Sequence, residues 1–416
     1  MKSSGIPWLG DVPEGWEIVP LFKLVSQVKF PNEGMIEKNL LSLSYGRIIR
    51  KNMETASGLV PENYAGYNRI EPEDIVLRLT DLQNDQKSLR VGISYERGIV
   101  TSAYLTIRPN SSSEADYLAC AIKVFDFKKG FYGIGSGVRQ SLKFSEVKKI
   151  AFPLPPIPEQ RAIAERIDCE VARVDALREK IKREIERLGD YKKSLIAETV
   201  TRGLRKRKMK PSGIPWLGDV PAEWEIIRNK TFMKLTNEKV GDRKNDFVLL
   251  SLSKQGVIIR DLSESKGKFP KDFDTYLVVR PGNLVFCLFD VAETPRTVGL
   301  VKNEGMLTGA YTNFEIDTSL VLPEFAYYYY IAVDDFKRLE PYYTGLRKIV
   351  KTETFLSLKF PKPTLPEQRE IAEYLDRAVS RIDAVVARRK TQLEKLESFK
   401  RSLIQEYVTG KREVCL

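Results

Sequence analysis

The decapeptide SGIPWLGDVP occupies residues 4–13 and returns, letter for letter, at residues 212–221 of the 416-residue chain. The two copies are offset by half the chain length. Shorter matches follow in the same order: Trp-Glu-Ile at 16–18 and 224–226, Leu-Leu-Ser-Leu-Ser at 40–44 and 249–253, and Pro-Glu-Gln-Arg at 158–161 and 366–369. Chance does not produce such a series in register. The sequence therefore predicts a tandem duplication that folds as a pseudo-dimer within one chain.

A proline cluster divides each repeat, at residues 153–158 and 361–366. Before it, short β-branched and aromatic runs separated by turn residues predict the strands of an α/β domain. Apolar residues at helical spacing also predict short helices at 114–123 and 324–333. The predicted strands lie at residues 74–79, 91–95 and 283–288.

After each cluster, apolar residues recur at spacings of three and four, which indicates one long helix of about 43 residues, or roughly 65 Å. So narrow an apolar stripe needs a partner, and the simplest partner for each helix is the other. The predicted fold class is α+β, with two α/β domains that are related by a pseudo-two-fold axis and separated by an antiparallel coiled coil of two long helices.

These patterns predict four segments. They are a first α/β domain at 1–155, a first spacer helix at 156–203, a second α/β domain at 204–363 that opens with a basic linker at 204–211, and a second spacer helix with a C-terminal tail at 364–416.

The composition is that of an ordinary globular protein, with 42% hydrophobic and 30% charged residues, and it excludes a disordered or collagen-like chain. No stretch of eighteen uncharged apolar residues occurs, and residues 1–7 lack an apolar signal core. We therefore expect no membrane span, no secretory signal and a cytoplasmic location.

The absence of histidine excludes Ser-His-Asp and Cys-His catalysis within this chain. The four cysteines form no Cys-x-x-Cys pair, so we expect them to be reduced and structural, with no metal site. The glycine-rich string at 131–137 is predicted to be a surface loop and not a cofactor loop, because the second repeat keeps only its last glycine.

Two further motifs have ordinary explanations. The Glu-x-Lys triplet at Glu146 resembles part of a metal-nuclease site but is expected by accident in so charged a chain. The tyrosine run at 327–330 could stack bases. At helical spacing, however, it is more typical of a buried helix face.

The net charge of +12 invites a nucleic-acid interpretation, yet half of it lies in residues 201–210. This block is either a solvated connector or a phosphate contact. Because the larger segments are barely basic, we expect modest DNA affinity from this chain alone.

Two similar domains on a spacer suit a target with two sites at a fixed separation, such as duplex DNA, whose groove repeats every 34–36 Å or so. Arg139 and Arg347 each follow a glycine by two positions and could approach a phosphate or a guanine edge. The alternative for both is a salt bridge to a neighbouring helix.

The doubled SGIPWLGDVP opening, the Pro-Glu-Gln-Arg helix starts, and the helix ends Lys-Ser-Leu-Ile-Ala-Glu at 193–198 and Arg-Ser-Leu-Ile-Gln-Glu at 401–406 resemble the specificity subunit of a Type I restriction-modification system. The resemblance implies two target-recognition domains, each reading one half of a bipartite, asymmetric double-stranded DNA site. It also implies that the helical spacer docks two methyltransferase subunits, and that restriction subunits complete the nuclease. The chain would then be non-catalytic, and S-adenosylmethionine, ATP and magnesium would be bound by partner subunits.

By resemblance, the residues that open the spacer helices help to orient the methyltransferases; they are Glu159, Gln160, Arg161, Glu367, Gln368 and Arg369. The strings at 137–139 and 345–347 resemble a loop beside the family's recognition surface. The resemblance transfers no base-reading residues, so the DNA-binding candidates are polar or basic loop residues before each proline cluster. They are Tyr45, Arg50, Arg78, Arg139, Gln140, Lys143, Lys254, Arg260, Arg347, Lys348 and Lys351.

Two rival functions stay open at this point. A coiled-coil adaptor would join two protein partners without touching DNA. An autonomous nuclease or methyltransferase would show turnover by the purified chain.

Overall fold

The computed structural model describes residues 1–52, 63–82, 89–134, 141–260, 273 and 275–414. The chain divides into two compact units. Unit 1 comprises residues 1–181 and 390–416, and unit 2 comprises residues 182–389. Helices and sheets both contribute, and the fold class is α+β as predicted.

Unit 1 is built on an antiparallel sheet whose strands follow the order β4-β11-β8-β9. Shorter pairs flank it, among them the β5–β6 hairpin. The elements are β1 Lys2–Ser3, β2 Asp11–Val12, β3 Glu17–Pro20, β4 Val25–Val28, β5 Leu41–Ser44, β6 Arg47–Arg50, β7 Asn68–Ile70, β8 Ile75–Leu77, β9 Val91–Ile93, β10 Gly98–Val100, β11 Leu105–Pro109, α1 Ala115–Phe127, α2 Phe144–Val147, β12 Ala151–Leu154 and the long helix α3 Ile157–Arg202, which continues into unit 2.

Unit 2 repeats this plan, with an antiparallel sheet in the order β16-β23-β20-β21. A second sheet, β18-β17-β22-β19, includes the parallel pair β17–β22. The elements are β13 Met209–Pro211, β14 Asp219–Pro221, β15 Glu225–Arg228, β16 Met233–Thr236, β17 Val248–Ser253, β18 Gly256–Ile259, β19 Leu277–Val279, β20 Leu284–Phe286, β21 Val298–Leu300, β22 Gly305–Leu307, β23 Thr312–Ile316, α4 Pro323–Asp335, α5 Thr352–Ser357, β24 Lys359–Lys362 and the long helix α6 Leu365–Val408, which continues into unit 1.

The tyrosine run lies in α4, and Tyr328, Tyr329 and Tyr330 are buried in the core of unit 2. The prediction of a buried helix face is therefore confirmed, and base stacking by these three rings is excluded. The short helices predicted at 114–123 and 324–333 are also present, as α1 and α4.

Each long helix begins beside its own repeat and ends in the core of the other unit. Ile196 and Val200, near the end of α3, pack in the core of unit 2 with Trp224. Leu403 and Val408, near the end of α6, pack in the core of unit 1, which also contains Trp16. Each core is therefore completed by the helix end of the other repeat.

Within each unit, the segments of α3 and α6 pack antiparallel, because the partner residue numbers fall on one helix as they rise on the other. In unit 1, Asp175 pairs with Lys400 at 2.8 Å and Arg178 pairs with Glu397 at 3.0 Å. In unit 2, the described pairs are Glu184 with Arg389 at 2.9 Å and Lys192 with Asp383 at 2.7 Å.

Asp175 is the centre of a charge cluster in unit 1, where it also binds Arg178 and, on β6, Arg47. Partial burial would raise the pKa of this carboxyl, but hydrogen bonds from Lys400 and Arg178 hold the pKa below its usual range. The ionised form is therefore the one that stabilises the fold.

Asp175→Asn is expected to lower the free energy of unfolding by about 1–2 kcal/mol at pH 7, since Lys400 loses its anion. The pKa of Asp175 is lower in the folded state than in the unfolded state, where it is about 4, so the ionised carboxylate stabilises the fold above about pH 4. This stabilisation is lost as the pH falls through the folded-state pKa. The difference from wild type should therefore shrink below about pH 4 in denaturant titrations. Asp190→Asn is the control, because Asp190 is 80% exposed and 3.8 Å from Lys193. If the stability difference between wild type and Asp175→Asn stayed the same below about pH 4, the ionised form of Asp175 would not be the one that stabilises the fold.

Candidate nucleic-acid interface

A tight hairpin at residues 344–349 carries two of the predicted DNA-binding side chains of unit 2. Thr344 and Ile349 exchange two backbone hydrogen bonds of 2.9 Å, and the Thr344 hydroxyl donates a third to the Ile349 carbonyl. At the tip, Leu346 is fully exposed. The flanking cations Arg347 and Lys348 are 64% and 45% exposed. The hairpin therefore presents an apolar side chain followed by two cations.

The hairpin is joined to the loop that follows β20. The Asp290 N–H donates to the Arg347 carbonyl at 2.8 Å, and the Val350 N–H donates to the Leu288 carbonyl at 2.8 Å. The Arg347 guanidinium lies over the Phe289 ring, 5.3 Å from its centre. Main-chain hydrogen bonds and a side-chain contact therefore hold the hairpin to the loop after β20.

Both cations of the hairpin pair with carboxylates on that loop. Arg347 donates to Asp290 at 2.6 and 3.3 Å, and Lys348 donates to Glu293 at 2.6 Å. The hydrogen bonds from the cations hold the pKa of each carboxyl below its usual range. The salt bridge expected as the alternative for Arg347 is therefore present, although its partner lies on a loop and not on a helix.

A second hairpin in each unit carries other predicted residues. Tyr45, at the β5–β6 turn, is 75% exposed, and its φ of 47° is in the left-handed region. At the end of β6, Arg50 donates to Glu96 at 2.6 Å. In unit 2, Lys254 is exposed at the β17–β18 turn, and the half-buried Arg260 donates its N–H to Leu249 at 2.8 Å.

The remaining DNA candidates are scattered. Arg78 is half-buried after β8, and its carbonyl accepts a bond of 3.0 Å from the buried Arg90. Lys143 and Lys351 are exposed at the residues before α2 and α5. Arg139 and Gln140 lie outside the described residues.

Glu146, of the nuclease-like triplet, accepts the N–H of Lys143 at 2.7 Å and so caps α2. Across the described part of the chain, no group of three or more Cys, Asp or Glu residues could hold a metal ion. In the same residues, no helix is long and apolar enough to span a membrane. The described cysteines, Cys120, Cys169 and Cys287, are unpaired.

The glutamines that open the spacer helices are internal. Gln160 and Gln368 are completely buried. Gln368 accepts the N–H of Leu322 at 2.7 Å and donates to the carbonyls of Pro363 and Leu320 at 2.9 and 3.1 Å. Gln160 makes the matching set of bonds in unit 1. This burial corrects the expectation that the two glutamines contact a partner, because no surface of either is accessible.

The neighbouring glutamates also bind within their units. Trp16 donates its indole N–H to Glu159 at 3.1 Å, and Trp224 donates to Glu367 at 3.2 Å. Both pairs are 143 residues apart in sequence. Arg161 and Arg369 are exposed and stay predicted partner contacts.

Two arginines of the basic linker pair with carboxylates. Arg207, only 17% exposed, binds Glu223 at 3.1 Å and Glu367 at 3.0 Å, and Arg205 binds Glu370 at 3.0 Å. Residues Met209–Pro211 form β13, paired with β14. The expectation of a solvated connector is corrected at Arg207, which is largely buried beside its two carboxylates, whereas Arg205 stays 66% exposed; a phosphate contact of the linker stays a prediction.

Sequence reasoning missed Phe289, Asp290 and Glu293, which hold the 344–349 hairpin. A signal was available in the repeat, because Asp81 in Leu-Arg-Leu-Thr-Asp matches Asp290 in Phe-Cys-Leu-Phe-Asp. Both aspartates adopt positive φ, 55° and 47°. Non-glycine residues in that conformation concentrate at functional loops.

A family model described as "Type I restriction modification DNA specificity domain" matches residues 67–187 and 296–395, together more than half of the chain. The MjaVIII specificity subunit of a Type I restriction enzyme from Methanocaldococcus jannaschii is 23% identical over 97% of this chain and 94% of that protein.

Solved structures share the fold. A chain from a structure that addresses complex assembly and conformational transition of the type I R-M system aligns with a TM-score of 0.72 at 15% identity, covering 97% of this chain and all of that one. The HsdS subunit from Thermoanaerobacter tengcongensis aligns with a TM-score of 0.53 at 15% identity, covering 96% and 98% of the two chains.

Proposed function

The chain belongs to the Type I restriction-modification DNA specificity family, and from this premise we propose that it selects the DNA sequence on which a Type I complex acts. Each unit reads one half of a bipartite, asymmetric site in double-stranded DNA. The observation that carries the proposal is the repetition, in both units, of a sheet with exposed hairpins that bear polar and cationic side chains. Two units that share a fold but differ in their loop residues are suited to reading two different half-sites.

The DNA contacts that we propose keep the full set of sequence candidates: Tyr45, Arg50, Arg78, Arg139, Gln140, Lys143, Lys254, Arg260, Arg347, Lys348 and Lys351. At three of them the charge is already balanced, since Arg50, Arg347 and Lys348 pair with carboxylates. This balance supports modest DNA affinity for the chain alone, with partners supplying much of the phosphate binding.

The partners in this proposal are two methyltransferase subunits that dock on the spacer helices, joined by restriction subunits in the full complex. Apolar side chains on these helices support it, because Tyr191 and Phe399 are 56% and 51% exposed and Leu177 is 41% exposed. Exposed Arg161 and Arg369 would add polar contacts at the helix starts. This chain is non-catalytic in the proposal, and its partners bind S-adenosylmethionine, ATP and magnesium. We place the assembly in the cytoplasm, with the DNA.

The test is base-resolution methylation mapping of DNA from cells that express this chain with its neighbouring methyltransferase. A hybrid chain in which residues 211–364 come from another family member is mapped beside it. The expected result is a bipartite adenine-methylation motif in which only one half changes in the hybrid.

A second outcome of the methylation mapping would refute the proposal. If expression and assembly are verified and no methylated motif depends on this chain, sequence selection is refuted. The chain would then be an adaptor that joins protein partners through the same exposed helix side chains. Turnover by the purified chain alone would instead make it an enzyme.

A further inference from the structure

We propose that Arg347 reads a guanine in the half-site of unit 2, and that Asp290 is the positioning residue that aims it. This inference rests on the proposed function and deepens it, because it names one base and the residue pair that selects it.

Asp290 holds the guanidinium of Arg347 along one side. Its carboxylate accepts from Nε at 3.3 Å and from one terminal nitrogen at 2.6 Å. This is a side-on pairing, and it leaves the edge formed by the two terminal nitrogens pointing away from the carboxylate. That edge carries two parallel N–H donors, to which no described residue is shown to bind, and they match the adjacent O6 and N7 acceptors of guanine in the major groove.

Arg347 is also preorganised for binding. The same two residues are also joined through the main chain, by the bond of 2.8 Å from the Asp290 N–H to the Arg347 carbonyl. The Phe289 ring supports one face of the guanidinium. An arginine held by a carboxylate, a ring and its own backbone has little side-chain entropy left to lose when it binds a base.

The charges beside Arg347 favour a base over a phosphate as its ligand. The two cations of the hairpin, Arg347 and Lys348, pair with the carboxylates of Asp290 and Glu293, so each pair is neutral. A phosphate would be attracted by one member of each pair and repelled by the other. A base edge carries no net charge, so the two ion pairs do not repel it as they would a phosphate. Its two acceptors are best matched by N–H donors that are held in a fixed position.

The described part of unit 1 shares two features with the hairpin and loop around Arg347. The Leu142 N–H donates to the Leu79 carbonyl at 2.8 Å, as Val350 donates to Leu288 in unit 2. Asp81 shares the positive φ of Asp290. These two features are therefore shared by both repeats and are not particular to unit 2.

The experiment uses the full complex of this chain with its methyltransferase and maps methylated sites for wild type, Arg347→Ala, Asp290→Asn and Arg243→Ala. Asparagine keeps an acceptor and tolerates positive φ, so Asp290→Asn removes charge with little backbone strain. Arg243 is the matched control, since it pairs with Glu238 at 2.8 Å and lies 5.4 Å from the centre of the Phe247 ring. The thermal midpoint of each variant checks that it folds.

Arg347→Ala is expected to reduce the preference for guanine at one position of the unit 2 half-site by about tenfold to a hundredfold. Asp290→Asn should reduce the guanine preference at the same position by a smaller factor, while its thermal midpoint stays unchanged. If Asp290 had only a structural role, the substitution would not change the guanine preference without changing the thermal midpoint. Arg243→Ala should leave that preference intact.

Three outcomes overturn the inference while the proposed function stands. They are a unit 2 half-site without guanine, an even loss across all sequences in Arg347→Ala, which marks a phosphate contact, and an unchanged guanine preference in that variant. A wild-type complex whose methylation shows no motif dependent on this chain refutes the proposed function itself, and the inference falls with it.

Discussion

Gln368→Leu is expected to lower the local stability of unit 2 by about 3 kcal/mol or more, although residue 368 is not among the proposed DNA contacts. The side chain is completely buried and makes three hydrogen bonds, to Leu322, Pro363 and Leu320. Leucine fills the space but leaves the buried carbonyl of Pro363, the half-buried carbonyl of Leu320 and the half-buried N–H of Leu322 without this partner, and each such loss costs about 1 kcal/mol or more.

Hydrogen–deuterium exchange measures the effect at the amide that loses its acceptor. The Leu322 amide should exchange at least a hundredfold faster in Gln368→Leu, which corresponds to about 3 kcal/mol at 1.4 kcal/mol per tenfold. The Glu114 amide, which Gln160 binds in unit 1, should be unaffected, and Gln160→Leu should produce the reverse pattern.

The adjacent, exposed Arg369 supplies the control, because Arg369→Ala should change stability by less than about 0.5 kcal/mol. An equal effect of the two substitutions, or unchanged exchange at Leu322, would mean that the glutamine does not hold the helix start to its unit.

Insertion of one heptad into both spacer helices, after Ile181 and after Arg389, is expected to lengthen the gap between the two half-sites by about three base pairs. These positions divide unit 1 from unit 2 on each helix, so the ion pairs within each unit are kept. Seven residues add about 10.5 Å of helix, and three base pairs add about 10 Å of duplex. Methylation should become slower, because three base pairs also turn the second half-site about 100° around the DNA.

A heptad inserted into α3 alone is the informative comparison. One helix then becomes longer than its antiparallel partner, so the pairs of Asp175 with Lys400 and of Lys192 with Asp383 cannot both persist. We expect loss of the bipartite motif or of assembly in that variant. The methylation map reports both insertions, and an unchanged gap with full activity in the double insertion would show that the helices do not set the distance.

Local patterns in the sequence predicted the elements of the fold well. The long helices occur where a proline cluster is followed by an apolar repeat of threes and fours, and they begin at Ile157 and Leu365. The strands Ile75–Leu77, Val91–Ile93 and Leu284–Phe286 lie within the runs predicted for them. These predictions succeed because helix and strand periodicity is a property of neighbouring residues.

Polar side chains were harder to assign. Glu367 and Gln368 follow one another at a helix start, and the resemblance implied that both help to orient a methyltransferase. The structure instead places Gln368 completely inside unit 2 and gives Glu367 to Trp224 and Arg207. The partners of Glu367 are 143 and 160 residues away in sequence, and nothing local indicates them.

The sequence by itself determined the duplication, the α+β class, the two long helices and the family, because repeats, periodicity and motif order are all written along the chain. Only the tertiary structure decided which polar residues remain available for recognition. It buried Gln160 and Gln368, bound Arg205 and Arg207 to the start of α6, and paired Arg347 with Asp290. The physical reason is that a charge or an amide is satisfied by whatever the fold brings within about 3 Å of it. In this protein that partner is often more than fifty residues away.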